Sequence, residues 1–222
     1  MAIFKPKYIT FDCYGTLTNF DMAGAARARY QDRVSAADMP GFIESFRGYR
    51  LDEVLGAWKP FSEVVCNAVA RTCKRWGVVY DEADGLAIYN DVPTWGPHPD
   101  VPAGLSAVAK EFPLVIFSNA ANAQIGHNVE KLGAPFHKVF TAEQAQFYKP
   151  RYGAFEYMLD ALNCGPEDIL HVSSSLRYDL MSAYDLGIKN KVWVNRGHEP
   201  GNPFFEYTEI KSIGGLPAVV GL

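Results

Sequence analysis

Tyr8-Ile9-Thr10-Phe11-Asp12-Cys13-Tyr14-Gly15-Thr16-Leu17 runs a β-branched and aromatic stretch into a carboxylate and then into a glycine turn. The pattern is that of a strand carrying an acid to its own carboxyl end. In open α/β sheets ligands bind just outside the carboxyl ends of the strands, so Asp12 stands where chemistry is done. The same ten residues also suit a turn or cap in which Asp12 only satisfies nearby backbone N–H groups. The rest of the chain has to separate the two.

Composition narrows the class. The chain has 222 residues, 48% hydrophobic and 14% aromatic, enough to bury a full core and too apolar to stay disordered. A formal net charge of -4 and the lack of any Lys/Arg run give no field for nucleic acid, so no nucleic-acid partner is expected. No apolar run approaches the ~18 residues of a membrane span, and Met1-Ala2-Ile3-Phe4-Lys5-Pro6 has neither an h-region nor a cleavage site. A cytoplasmic protein without a membrane partner is the expectation. Cys13, Cys66, Cys73 and Cys164 follow no metal or disulfide spacing and the histidines are scattered, so buried thiols, no zinc and no cofactor are expected.

After Leu17 the periodicity becomes helical. Ala23 to Val34, Phe42-Ile43-Phe46-Tyr49 with Leu51-Val54-Leu55-Trp58, Phe61 to Trp76, and Asp84 to Tyr89 read as helices, with almost no strand between Phe20 and Trp95. Pro93, Pro97, Pro99 and Pro102 read as a stiff connector at the exit of this block, and the Gly15 to Phe20 turn as its entrance. A block joined by two strands of chain can rock over Asp12 as a cap, or pack as one face of a single domain. From Gly104 strand and helix alternate. Helices are expected at Ser106 to Glu111, Ala121 to Leu132, Arg151 to Leu162 and Leu176 to Leu186, and strands at Pro113 to Phe117, Lys138 to Thr141, Ile169 to Val172 and Lys191 to Val194. Repeated βα units give a parallel sheet covered on both faces.

Parallel strands share one carboxyl edge, which brings their polar ends to the rim that holds Asp12. Leu114-Val115-Ile116-Phe117 ends in Ser118-Asn119, which also suits a helix N-cap. Ile169-Leu170-His171-Val172 ends in Ser173-Ser174-Ser175. Lys149, in a loop before a helix, can reach over the edge and hold a carboxylate ionised, or stay solvated. Asp179 lies in a first helical turn, where the dipole alone favours a carboxylate. Two carboxylates, an ammonium, hydroxyls and an amide on one rim suit a covalent mechanism in which one carboxylate attacks and another handles water. His171, inside its strand, reads as a hydrogen-bonded core histidine rather than a catalytic one.

The ordered set Asp12-Cys13-Tyr14-Gly15-Thr16, Ser118-Asn119, Lys149-Pro150 and Ser173 with Asp179 resembles the four motifs of the haloacid dehalogenase superfamily and spans the whole chain. The helical block falls where that superfamily inserts its first type of cap. Its phosphatases carry a second Asp two residues after the nucleophile, as acid/base and part of a magnesium site. Tyr14 stands there, which resembles the metal-free L-2-haloacid dehalogenase (type II) branch. Arg47, after an aromatic in Ser45-Phe46-Arg47-Gly48-Tyr49, resembles that branch's cap arginine, which helps to receive the departing halide. A leaving halide needs a fixed positive charge or N–H donors where its charge develops.

The resemblance implies a Rossmannoid three-layer α/β core with a parallel sheet at 1–18 and 98–222, and an inserted helical cap at 19–97. It implies a hydrolase that converts short 2-haloacids to 2-hydroxy acids through an aspartyl ester, with no metal and no cofactor, and a homodimer. Asp12 is the expected nucleophile and Asp179 handles water. Lys149, with Thr16 and Ser173, steadies the charges; Tyr14, Arg47, Ser118, Asn119 and Ser175 are expected around substrate and halide. Aromatic Tyr14, Trp58 and Phe61 are candidates for the pocket wall, each equally suited to ordinary core. Two departures stand out. Phe155 replaces a tyrosine the family often has after the lysine, and Ser173-Ser174-Ser175-Leu176-Arg177-Tyr178-Asp179 is one residue longer than the usual last motif. A phosphate-ester hydrolase of the same superfamily and a non-catalytic binding protein that kept the fold are the rival readings.

Overall fold

A computed structural model describes residues 4–222. Met1-Ala2-Ile3, part of the N-terminal stretch read above, lie outside the described residues. The chain divides into two compact units, one holding the chain up to Asn19 together with Gly96–Leu222, the other Phe20–Trp95.

The first unit is built on a parallel sheet of β1 (Tyr8–Phe11), β2 (Leu114–Ser118), β3 (Lys138–Thr141), β4 (Ile169–Ser173), β5 (Lys191–Val194) and β6 (Thr208–Ile210). Their order across the sheet is β3-β2-β1-β4-β5-β6. Strands β2, β4 and β5 are buried along their whole length, as a sheet covered on both faces requires. Side chains alternate between two cores. Ile9, Phe11, Leu114, Ile116, Leu170 and Val172 share one. Val115, Phe117 and Ile169 share the other with Phe155 and Met158. The fold is therefore three-layered α/β. Strand order reverses between β1 and β4, and such a switch point opens a crevice at the carboxyl ends of the strands. Asp12 leaves β1 at that point, its N–H bonded to Val172 O at 3.0 Å.

The second unit is helical: α1 (Met22–Tyr30), α2 (Met39–Leu55), α3 (Phe61–Trp76) and α4 (Glu82–Asp91). Each is a stretch read as helical from its periodicity. Asp21 caps α1 through Gly24 N–H, and Gly77, in the left-handed conformation, ends α3. Glu53, buried on α2, accepts from Lys59, Asn67 and Arg71, which joins α2 to α3. No helix among the described residues is long and apolar enough to cross a membrane.

Two expectations are corrected and one strand is added. Of the four connector prolines, Pro93 opens a 3-10 turn at Val92–Thr94 and Pro102 lies in the first turn of α5 (Val101–Val108), where proline's fixed φ suits a helix start. This helix therefore precedes the expected Ser106 start. Strand β6 was not foreseen, since three residues at a sheet edge carry no periodicity. Of the four free cysteines only Cys13 and Cys73 are fully buried.

The remaining α-helices of the first unit are α6 (Asn122–Val129), α7 (Ala142–Ala145), α8 (Tyr152–Leu162), α9 (Met181–Asp185) and α10 (Leu216–Val219). A methyl group at Gly104, on α5, would lie 2.6 Å from Ile213 O, whereas one at Gly48, on α2, meets nothing within 4 Å. Both positions gain the helix propensity of alanine, so only packing separates them. Gly48→Ala is expected to raise stability by about 0.5–1 kcal/mol and Gly104→Ala to lower it by about 1–3 kcal/mol, read from urea unfolding midpoints.

Candidate active site

Three strands deliver the site. From β1 comes Asp12, from β2 the Phe117 carbonyl and Ser118, and from β4 the loop that leads to Asp179. Lys149, 1% exposed, reaches into the crevice and donates to Asp12 Oδ1 at 3.0 Å, Asp179 Oδ1 at 2.7 Å and Phe117 O at 2.8 Å. Those bonds use all three ammonium protons, which fixes the position of Nζ. The Lys149 backbone is fixed by Asn119, whose amide donates to Lys149 O at 2.8 Å and accepts from Lys149 N–H at 2.7 Å. Asn119 is thus no helix cap; α6 is entered through Ala121 without a side-chain cap.

The second Asp12 oxygen, Oδ2, accepts from Thr16 Oγ1 at 2.6 Å, a charge-assisted bond. Thr16 accepts in turn from Ser174 N–H at 2.8 Å, and Ser174 Oγ stands 3.1 Å from it. The turn that returns Thr16 to Asp12 needs Gly15 at φ +94°. From outside, Arg196 donates to Thr16 O at 3.0 Å and pairs with Asp100 at 2.7 and 3.0 Å.

Asp179 is fully buried and its Oδ1 takes two donors, Lys149 Nζ and His171 Nε2, the latter at 3.0 Å. Among the described residues its Oδ2 has no hydrogen-bond partner, and neither has Ser118 Oγ. Asp179 comes from a π-helical turn, Leu176–Leu180, in which Leu180 N–H bonds to Ser175 O at 3.2 Å. Five-residue spacing takes in one residue more than an α-helical turn without changing the flanking helix, which is the room that a longer last motif would need.

Burial is the largest influence on all three charged groups, and it pushes each toward its neutral form. For Lys149 the two carboxylates outweigh burial and its pKa rises above the ordinary lysine value. For Asp179, Lys149 and His171 outweigh it and the pKa falls below the ordinary carboxylate value. For Asp12 burial, helped by the Asp179 charge, prevails over Lys149 and Thr16, and the pKa rises. The Cys13 thiol beside it is pushed up to about 12 by burial and is no nucleophile at neutral pH.

Of the residues singled out in the sequence, Asp12, Thr16, Lys149, Asp179 and Asn119 lie in one hydrogen-bonded set, and Ser118 stands between Phe117 and Asn119 in the chain with its Oγ unpartnered among the described residues. Tyr14 adjoins the set with its hydroxyl bonded to Asn128 Oδ1 of α6 at 3.1 Å. Ser173 and Ser175 serve the backbone instead: Ser173 Oγ accepts from Ser175 N–H at 3.0 Å and Ser175 Oγ from Tyr178 N–H at 3.1 Å. Ser174 takes the place beside Thr16 that was expected of Ser173. Arg47 lies in the other unit, half-buried on α2, as do Trp58 and Phe61. Phe155 is core, edge-on to Phe117 with ring centroids 4.8 Å apart. Sequence reasoning missed Ser174, whose place depends on the direction of the chain beyond β4, and the Thr10 partner of His171, which depends on strand register.

Residues 6–187 match the family model of the haloacid dehalogenase-like hydrolases, and the chain belongs to that family. It is 26% identical over 196 residues to haloacetate dehalogenase H-2 of a Moraxella species, covering 86% of this chain and 87% of that one. It is likewise 26% identical to an (S)-2-haloacid dehalogenase of Pseudomonas putida, over 85% of each chain. An L-2-haloacid dehalogenase of Xanthobacter autotrophicus, solved with chloropropionic acid covalently bound, shares the fold at TM-score 0.77 and 21% identity, over 97% of this chain and 98% of that one.

Lys149→Met leaves two buried carboxylates facing each other without a cation. The variant is expected to lose about 3–5 kcal/mol of stability at pH 7. Burial then raises both carboxylate pKa values in the folded state, so that state takes up protons before the unfolded chain does and the deficit shrinks as pH falls toward 4. In the wild type the raised Lys149 pKa works the other way: its contribution is full below the unfolded lysine value of 10.5 and is lost as pH rises past the folded one. Urea unfolding of the variant at pH 4 and 7, and of the wild type at pH 9 and about 11.5, checks both signs.

Proposed function

We propose that this protein hydrolyses short 2-halocarboxylic acids to 2-hydroxy acids through an ester on Asp12, without a metal ion. The observation that carries the reading is a buried carboxylate, Asp12, joined by one ammonium to a second carboxylate with a free oxygen. One acid can attack carbon while the other receives water. The haloacid dehalogenase relatives, one with its substrate covalently bound, support the same reading.

In the first step an Asp12 oxygen forms a bond to the halogen-bearing carbon from the side opposite the halogen. The carbon–halogen bond breaks, the halide leaves with the electron pair, and a stereocentre, if present, inverts. The second amide proton of Asn119 receives the halide; Ser118 and the backbone N–H groups after Asp12 hold the substrate carboxylate. In the second step water held at Asp179 Oδ2 attacks the carbonyl carbon of the Asp12 ester and passes one proton to that oxygen, which returns it to the departing alkoxide; the water's other proton goes to solvent as the Asp12 carboxylate is regenerated. The acyl–oxygen bond breaks, and the 2-hydroxy acid leaves with an oxygen that belonged to Asp12.

Tyr14 supports this reaction over phosphate-ester hydrolysis, because it stands where the related phosphatases place the carboxylate that magnesium and leaving-group protonation use. Free thiols at all four cysteines accord with a cytoplasmic setting.

Halide release from chloroacetate, bromoacetate and the 2-chloropropionate enantiomers is expected to survive a chelator and to prefer one enantiomer. Asp12→Asn is expected to reduce it on the order of 10⁴-fold or more, with deamidation excluded by mass spectrometry. A single turnover in heavy-oxygen water is expected to label Asp12 before product. Chelator-sensitive release of phosphate from an aryl phosphate, with no halide from any acid, would overturn the reading.

A further inference from the structure

His171 is a fully buried imidazole in the middle of β4, on the face of the sheet that packs against α8. Phe155 and Phe117 stand edge-on to it, with ring centroids 5.7 and 6.2 Å away. A polar ring in such a place has to be hydrogen-bonded to be tolerated. Its Nδ1 lies 2.8 Å from Thr10 Oγ1, the residue directly opposite in the β1–β4 register. That pair alone would make His171 an ordinary core residue. The other nitrogen, however, faces Asp179 Oδ1 at 3.0 Å, and a carboxylate can only accept, so Nε2 carries the proton there.

Resting on the proposed function, we infer that His171 is a positioning residue for ester hydrolysis: it holds Asp179 through Oδ1 so that Oδ2 stays turned toward the attacking water. Lys149 holds the same oxygen, but the two holds differ in when they act. Lys149 is shared with Asp12, and formation of the ester removes the Asp12 charge that helps to fix the ammonium. A lysine is a point charge on a flexible four-carbon stem, whereas His171 is clamped by Thr10 and two aromatic rings. After halide has left, His171 is the restraint on Asp179 that the reaction does not weaken. Its loss therefore falls on the second step and spares the first.

The test separates the steps. His171→Asn keeps an amide for Thr10 but does not reach Asp179; His171→Gln places an amide N–H near the position of Nε2. With bromoacetate under rapid quench, His171→Asn is expected to retain a halide burst within about threefold of wild type while steady turnover falls on the order of 10²-fold. Mass spectrometry is expected to find Asp12 held as its carboxymethyl ester during turnover, and His171→Gln to recover about tenfold of the lost rate. Thr10→Val, which frees the ring at its other end, gives a second reading if His171→Asn does not fold, and it too is expected to accumulate the ester. Equal loss of burst and turnover, unchanged turnover, or no ester in either Asn or Val variant would overturn the inference while leaving the proposed reaction intact. A wild-type protein that forms no ester on Asp12 would instead overturn the proposed reaction and this inference with it.

Discussion

A single ammonium group buried between two carboxylates holds this site together. Two acids at such proximity do not both ionise in a desolvated crevice unless a cation lies between them. Lys149 Nζ meets Asp12 and Asp179 at 3.0 and 2.7 Å and spends its third proton on Phe117 O. The three acceptors lie on, or on the segments that follow, three adjacent strands of the sheet: Phe117 on β2, Asp12 just after β1 and Asp179 in the helical turn after β4. The strand order is therefore a condition of the charge arrangement: with β1 anywhere but the centre, one ammonium could not reach all three. Asn119 completes the arrangement from behind by fixing the lysine backbone, which makes this motif residue as much a part of the lysine's support as of any halide site.

The last motif shows how a local irregularity can serve a fixed geometry. An extra residue before Asp179 would ordinarily rotate the carboxylate about the helix axis, away from Lys149. The wide turn at Leu176–Leu180 accommodates one residue more than an α-helical turn with bonds of longer span, Leu180 N–H to Ser175 O and Met181 N–H to Leu176 O. The helix resumes at Met181 in an ordinary register. Ser173 and Ser175 are what hold this turn open, through their bonds to Ser175 and Tyr178 N–H groups. Their hydroxyls shape the loop, and Ser174 is left to face Thr16.

Much of this was legible in the sequence, for a definite reason. Alternating apolar strands with polar ends announce both a parallel sheet and its functional edge, so Asp12, Ser118, Lys149 and Asp179 could be brought together without coordinates. The illegible parts depend on register, on local chain direction or on signals too short or too ambiguous to read. His171 pairs with Thr10 only because β4 adds to β1 in that register, and from the sequence it is merely a polar residue inside an apolar strand. The choice of Ser174 over its two neighbours depends on the direction each takes as the strand ends. Pro102 misled because proline signals a connector and a helix start equally well, and β6 escaped because three edge residues cannot show a period.

Taken together, the electrostatics and the hydrogen bonds suggest what Asp179 contributes to the proposed second step. A general base works best with a pKa near the working pH, and Asp179 is held below even the ordinary carboxylate value by Lys149 and His171. As a proton acceptor it is weak. The same two donors that weaken it also fix its orientation, on one oxygen only. Nature of the partners and weakness of the base are thus one fact seen twice: the site gives up proton affinity and gains a carboxylate oxygen that cannot turn away. In a reaction whose second step is attack by one water on one carbonyl, orientation is the larger effect, since well-placed reactants can gain roughly 7–11 kcal/mol over free ones. On the proposed reading, then, Asp179 acts chiefly by placing water, and what places Asp179 matters as much as its charge.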